Sequence, residues 1–184
     1  MVEDAKVSRH AFVDESFRDG RYLVTAVVVD PRDLRRLRTE LRELLLPGQR
    51  ELHGAREKAP RRRQLIDHVA ATGLRATIYT IDCAPRGQED GRQSCLARLV
   101  EDLMAAGAAR LVLDSRGERD RDDVRVLQRA LSPHPSSTHL VYEHTFSQLE
   151  PLIWAADLVG WAHGAGGDWR RRVAPAVERV IDCT

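Results

Sequence analysis

The stretch YLVTAVVV, from Tyr22 to Val29, constrains the fold more than any other part of the chain. Successive side chains of a strand point to opposite faces, and here both sets are apolar and rich in β-branched residues. Such a strand belongs inside a sheet that is covered on both sides. The preceding run HAFVDE, from His10 to Glu15, is also strand-like, and SFRDG between the two reads as a turn, which predicts an antiparallel hairpin. Asp30 and Pro31 then supply a helix cap and a first-turn proline. Leu34, Leu37, Leu41, Leu44 and Leu45 follow at helical spacing until Pro47-Gly48.

The rest of the chain alternates strands and helices. A second helix starts near Pro60, buries Leu65, Ile66 and Val69, and stops at Gly73. A third strand runs from Leu74 to Asp82, and a helix from about Gln93 to Ala106 is closed by Gly107. The short apolar run Leu111 to Asp114 reads as a fourth strand, followed by a helix carrying Val124, Leu127 and Leu131. Thr138 to His144 reads as a fifth strand, and Pro151 to His163 as a strongly apolar helix ended by Gly164-Ala165-Gly166-Gly167. Pro175 breaks what reads as a weak helix from Asp168 to Ile181. Alternation in the second half favours parallel neighbours. The expectation is an α/β fold: a mixed five-stranded sheet with helices on both faces, in one domain over residues 1–184. Its core would span about residues 10–165, with residues 166–184 as an extension.

Composition fits one core: 184 residues, 42% hydrophobic and 31% charged. YLVTAVVV is less than half a membrane span, and the polar opening MVEDAKVSRH lacks the features of a secretory signal, so the expected location is the cytoplasm and no membrane partner is expected. Cys83, Cys95 and Cys183 are odd in number and form no CxxC pair, which reads as reduced thiols. The net charge of +1 points to no partner class, but its distribution is uneven. Arg50, Arg56, Lys58, Arg61, Arg62 and Arg63 stand against only Glu51 and Glu57. Such a patch suits sequence-independent contact with a phosphate backbone, and a solvated helix face is the equal alternative. Arg170 to Arg172 read as a solvated face.

Three carboxylates sit in apolar surroundings: Asp14 closes AFVD, Asp114 closes LVLD, and Asp157 interrupts PLIWAADLVGWA. A buried charge is costly unless a counter-charge or donors meet it. On a helix, Asp157 neighbours Ile153, Trp154, Gly160 and Trp161, so it faces the protein body. If the strands of Asp14 and Asp114 are parallel neighbours, both side chains emerge at the carboxyl edge of the sheet, where α/β proteins bind ligands. Converging acids repel, and a hard divalent cation relieves them; two such ions could clamp a phosphodiester. A single strand-ending Asp is more often a turn or cap residue than a ligand, and it is the set of three in apolar contexts that points to a site. Glu15, next to Asp14, points to the other face and reads as structural. No HExxH, GxSxG, Walker A or GxGxxG pattern is present.

Taken in order, Asp14-Glu15-Ser16, Glu51-Leu52-His53, Asp114 in LVLDSR, and Ala156-Asp157 preceded by Ser147 resemble the motifs of a bacterial family of unknown function with a ribonuclease-H-like core. The match spreads over about residues 10–165, and its specificity lies in order and spacing. The resemblance implies that Asp14, Asp114 and Asp157 bind Mg²⁺ or Mn²⁺ for phosphodiester hydrolysis. Glu51 would add a ligand, His53 would shuttle protons, and the basic connector would hold nucleic-acid phosphates. The chain departs from the family at Trp154, where a Gln is usual, and at Phe17, where a glycine is common. A metal-dependent nuclease is the expected function. The alternatives are a non-catalytic nucleic-acid- or protein-binding module of the same fold, and a hydrolase of a small phosphorylated molecule. Homodimerisation stays open.

Overall fold

The apolar run at Tyr22 becomes the second of two long strands, β1 (His10–Arg18) and β2 (Arg21–Val29), in a computed structural model that describes residues 8–85, 87–134 and 140–184. Asp19 and Gly20 join them with φ of 50° and 79°, the left-handed pair that a two-residue hairpin turn needs. Asp tolerates that region and Gly enters it without strain, so the turn chemistry fixes the register.

The remaining elements are α1 (Leu34–Glu43), α2 (Ala59–Ala71), β3 (Arg75–Asp82), α3 (Gln88–Ala105), β4 (Arg110–Asp114), α4 (Asp120–Leu131), β5 (Val141–Thr145), α5 (Pro151–Ala165), α6 (Gly167–Val173) and β6 (Val177–Asp182). They build a mixed six-stranded sheet in the order β5-β4-β1-β2-β3-β6. β1 pairs antiparallel with β2 and parallel with β4, and β2 pairs antiparallel with β3. Strand alternation sends Phe12, Leu23 and Val27 to a core under α1, α2 and α5, while Val13, Val24 and Ala26 face a second core under α3 and α4.

The sixth strand corrects the five expected from the sequence. The predicted helix over Asp168 to Ile181 is instead α6, a short turn over Ala174–Ala176, and β6. Pro175 cannot continue a helix, and the β-branched residues of VERVID then pair in parallel with β3. α1 stops at Glu43, short of Pro47-Gly48. α3 begins at Gln88, a turn earlier than its apolar stripe, and closes at Gly107 (φ 67°) with Ala108 N–H bonded to Leu103 O at 2.9 Å. α4 buries Val126 and Leu127, with Val124 and Leu131 only partly covered. β5 begins at Val141, and the expected strand residues Thr138 and His139, like the opening residues 1–7, lie outside the described residues. No helix among the described residues is long and apolar enough to cross a membrane.

Candidate active site

Asp14 and Asp114 emerge side by side because β1 and β4 are parallel in a register that sets Val13 opposite Leu113. Asp14 lies on the same face of β1 as Phe12, toward α5, as strand alternation requires. α5 crosses β1 and β2 and brings Asp157 to that face. Its close approach rests on Gly160, where a Cβ would lie 2.5 Å from Thr25 Oγ1 on β2. The connector between α1 and α2 is anchored by Leu52, 2% exposed, and delivers Glu51 and His53. Gly54 follows, and its N–H donates to Asp157 Oδ2 at 2.5 Å. A Cβ on Gly54 would lie 2.9 Å from Trp161, so only glycine lets the connector reach that carboxylate.

Asp14, Glu51, His53, Asp114 and Asp157 thus line one recess of about 50 Å³, together with Ser147 and Trp154. Ser147 ties its edge: the backbone N–H donates to Asp114 Oδ1 at 2.9 Å, and the hydroxyl donates to Glu51 Oε2 at 2.5 Å. Trp154, at the family's Gln position, is buried and donates its indole N–H to Ser147 O at 2.6 Å. His53 Nδ1 accepts from Ala55 N–H at 3.3 Å and stands 3.7 Å from Asp157 Oδ2, too far for a hydrogen bond. That contact puts the ring proton on Nε2.

Burial, followed by the carboxylates of Asp157 and Asp114, pushes Asp14 well above the usual carboxylate range. Asp157 is raised mainly by burial, against the neighbouring His53 and the bond from Gly54 N–H. Asp114 is pushed up to about 6, by burial first and then by Glu51 and Asp157, against the bond from Ser147 N–H. Among the described residues no Lys or Arg forms an ion pair with Asp14, Asp114 or Asp157, and the cluster's one arginine partner is Arg56, 3.2 Å from Glu51. These hard oxygens are the donor type that a divalent cation of the Mg²⁺ or Mn²⁺ kind takes, but no three of Asp14, Glu51, His53, Asp114 and Asp157 bring ligand atoms within 4.8 Å of one another, so holding an ion would require their side chains to draw together.

A second acidic group lies on the opposite face of the sheet. Ligand atoms of Asp120, Asp123 and His144 all fall within 4.8 Å of one another, the one such triple among the described residues. Its charge is already met. The Arg92 guanidinium, 1% exposed, holds Glu15 Oε2 at 2.8 Å and also Asp123, while Arg116 donates to Asp123 Oδ1 at 2.9 Å. His144 Nε2 sits 3.0 Å from Asp123 Oδ2, and Tyr22 donates to Glu15 at 2.5 Å. This buried network stitches β1, α3, α4 and β5 together, and sequence reasoning saw only that Glu15 faces away from Asp14.

The basic connector divides. Arg50, Arg56, Lys58 and Arg63 are exposed. Arg61 turns in to donate to Leu44 O, and Arg62 donates to Gly54 O and Glu57 O while lying 4.0 Å over the Trp161 ring. Those two of the six expected phosphate contacts are therefore engaged in holding the connector in place.

No protein-family model matches the chain, and no curated protein matches it. Four chains of solved structures do match. One is the ribonuclease HII of Archaeoglobus fulgidus, solved in complex with PCNA, with a TM-score of 0.56 and 15% identity over 86% of this chain and 73% of that one. At that identity the likeness shows the fold: a mixed α/β sheet with helices, similar to ribonuclease HII.

Proposed function

We propose that the chain is a divalent-metal-dependent nuclease and belongs to the bacterial family whose motifs it resembles. One observation carries the reading: acids from β1, β4, α5 and the Glu51 connector meet at the carboxyl edge of the sheet, with no Lys or Arg paired to Asp14 or Asp114 among the described residues. Asp14, Asp114, Asp157 and Glu51 would hold the ion through their carboxylate oxygens. A bound ion supplies the positive charge that lets the acids ionise together and lowers the pKa of a coordinated water. Ser147 and Gly54 orient Asp114, Glu51 and Asp157 through their hydrogen bonds. His53, with its proton on Nε2 and its side chain 38% exposed, can pass a proton between solvent and the reacting oxygens. The exposed Arg50, Arg56, Lys58 and Arg63 would hold flanking phosphates.

The test is cleavage of labelled single-stranded, duplex and hybrid substrates by purified protein with Mg²⁺ or Mn²⁺. Asp14→Asn and Asp114→Asn should each reduce it by more than the ~100-fold that losing a mere partner of a metal ligand costs. Cleavage that survives both substitutions removes the mechanism. Trp154 favours the rival reading of a non-catalytic module, because its indole lines the recess where the family carries a Gln. Salt-dependent binding without cleavage under either metal would establish that rival.

A further inference from the structure

A second, larger cavity of about 470 Å³ opens beside the acids and shares Asp14, His53, Asp114 and Asp157 with the small recess. Its floor is the outer part of β1. The pairing of β1 with β4 ends at Val13 and Leu113, yet β1 continues to Arg18, so this stretch projects past its parallel neighbour. Phe17 lies there, 47% exposed, lining the cavity. Its one ring contact among the described residues is a tilted one with Tyr22, 6.3 Å between centroids at 44°, which leaves the ring available to a ligand. Trp161 on the far wall is not available in this way. Arg62 lies 4.0 Å and Arg18 5.3 Å from its ring centre, and Trp169 meets it edge-on at 5.3 Å.

The same cavity is lined by Arg18 and Arg116, whose charges suit an anion. Arg116 is held in place by Asp123, itself gripped by Arg92 and His144. Its Nε is buried 3.9 Å from Glu15 Oε2 and out of a ligand's reach, so an anion would meet the 22% of the side chain that stays exposed. Phe17 is three residues from Asp14, about 10 Å along the strand and on its opposite face, and the cavity reaches both residues around the edge of β1 that β4 leaves unpaired. An open aromatic ring and a fixed cation at that distance from a cluster of acids describe a subsite for one nucleotide.

We propose that this cavity takes an unpaired nucleotide beside the scissile phosphate, its base against Phe17 and its phosphate against Arg116. The position of the scissile phosphate rests on the nuclease reading above. A base inside a duplex has both faces stacked on its neighbours, whereas an unpaired base can offer one to a side-chain ring. The chain's substrate class is therefore single-stranded nucleic acid or an unpaired end.

The test uses the Asp14→Asn chain without metal, titrated with a labelled single strand of about 12 nucleotides, within the range such grooves cover, and with the same sequence as a blunt duplex. The single strand is expected to bind at least tenfold more tightly. Phe17→Ala in that background should cost about tenfold, the order of one stacked base, and Phe17→Tyr should restore it. Arg116→Gln should lower the salt slope by about one. Phe17 is half exposed on its strand, so its loss leaves the fold in place. Equal or tighter duplex binding, or indifference to Phe17→Ala, overturns the subsite. The two readings fail separately. Wild-type cleavage of duplex alone keeps the nuclease and removes this pocket, while Phe17-dependent strand binding with no cleavage under Mn²⁺ keeps the pocket and removes the nuclease.

Discussion

Replacing Gly160 by alanine tests how closely α5 must approach the sheet for Asp157 to reach Asp14. A Cβ at this position would stand 2.5 Å from Thr25 Oγ1 and 3.4 Å from Thr25 Cβ, and Thr25 is 1% exposed. Alanine favours the helix by ~1 kcal/mol over glycine. Against that, inserting a methyl into a closed contact costs ~1–3 kcal/mol, and the β-branched Thr25 has little freedom to rotate away. The difference leaves an expected net loss of up to ~2 kcal/mol, read by urea denaturation in EDTA. Because Gly160 lies one turn beyond Asp157, the displacement of α5 should also lower metal-dependent cleavage. Thr25→Ala removes the offending oxygen, so the double variant should recover stability, with a coupling of at least ~1 kcal/mol in the cycle. Gly160→Ala that is more stable than the parent by ~1 kcal/mol would refute the close packing and the placement of Asp157 that depends on it.

Asp114 gives the pH dependence its sign. Its folded pKa of about 6 lies above the ordinary 3.8, so its contribution to stability is fully present below the ordinary value and is lost as pH rises through about 6. At about 1.4 kcal/mol per unit, discounted for partial solvent screening, metal-free Asp114→Asn should be more stable than the parent by ~1–2 kcal/mol at pH 7.5 and about equal to it at pH 4. Denaturation curves in EDTA at the two pH values decide it, and a parent that gains on the variant as pH rises would reverse the argument. Arg92→Met leaves Glu15 and Asp123 without the buried cation between them, which should cost ~3–5 kcal/mol of unfolding free energy. A loss below ~1 kcal/mol would mean that the network is not buried as described.

The acids of the site were legible because burial made them anomalous: Asp14, Asp114 and Asp157 each interrupt an apolar run, and such a residue needs a reason. The β1–β2 hairpin was legible from its turn residues and from apolar character on both faces of β2. β6 was not, since an edge strand with Glu178, Arg179 and Val180 exposed carries no clean alternation, and the arginines before it read as helix. Glu51 and His53 drew what weight they had from the family resemblance, as a connector has no periodicity to read. The interest of Gly54, Ser147 and Gly160 lies in what they touch, and those partners are distant in sequence. The same holds for Arg92, 77 residues from Glu15 and 31 from Asp123, within a polar segment whose burial nothing local reveals. Arg61 and Arg62 show the converse: a run of like charges reads as surface, yet these two turn inward to backbone carbonyls.

Diffraction from crystals soaked in Mn²⁺, with anomalous scattering used to locate the ions, puts the proposed metal centre to its most direct trial. The expected result is at least one peak bound by Asp14, with Asp114 or Asp157 as a second ligand, at the ~2.0–2.2 Å of a hard-cation bond. A peak only at Asp120, Asp123 and His144, or none at either group at saturating Mn²⁺, would contradict it.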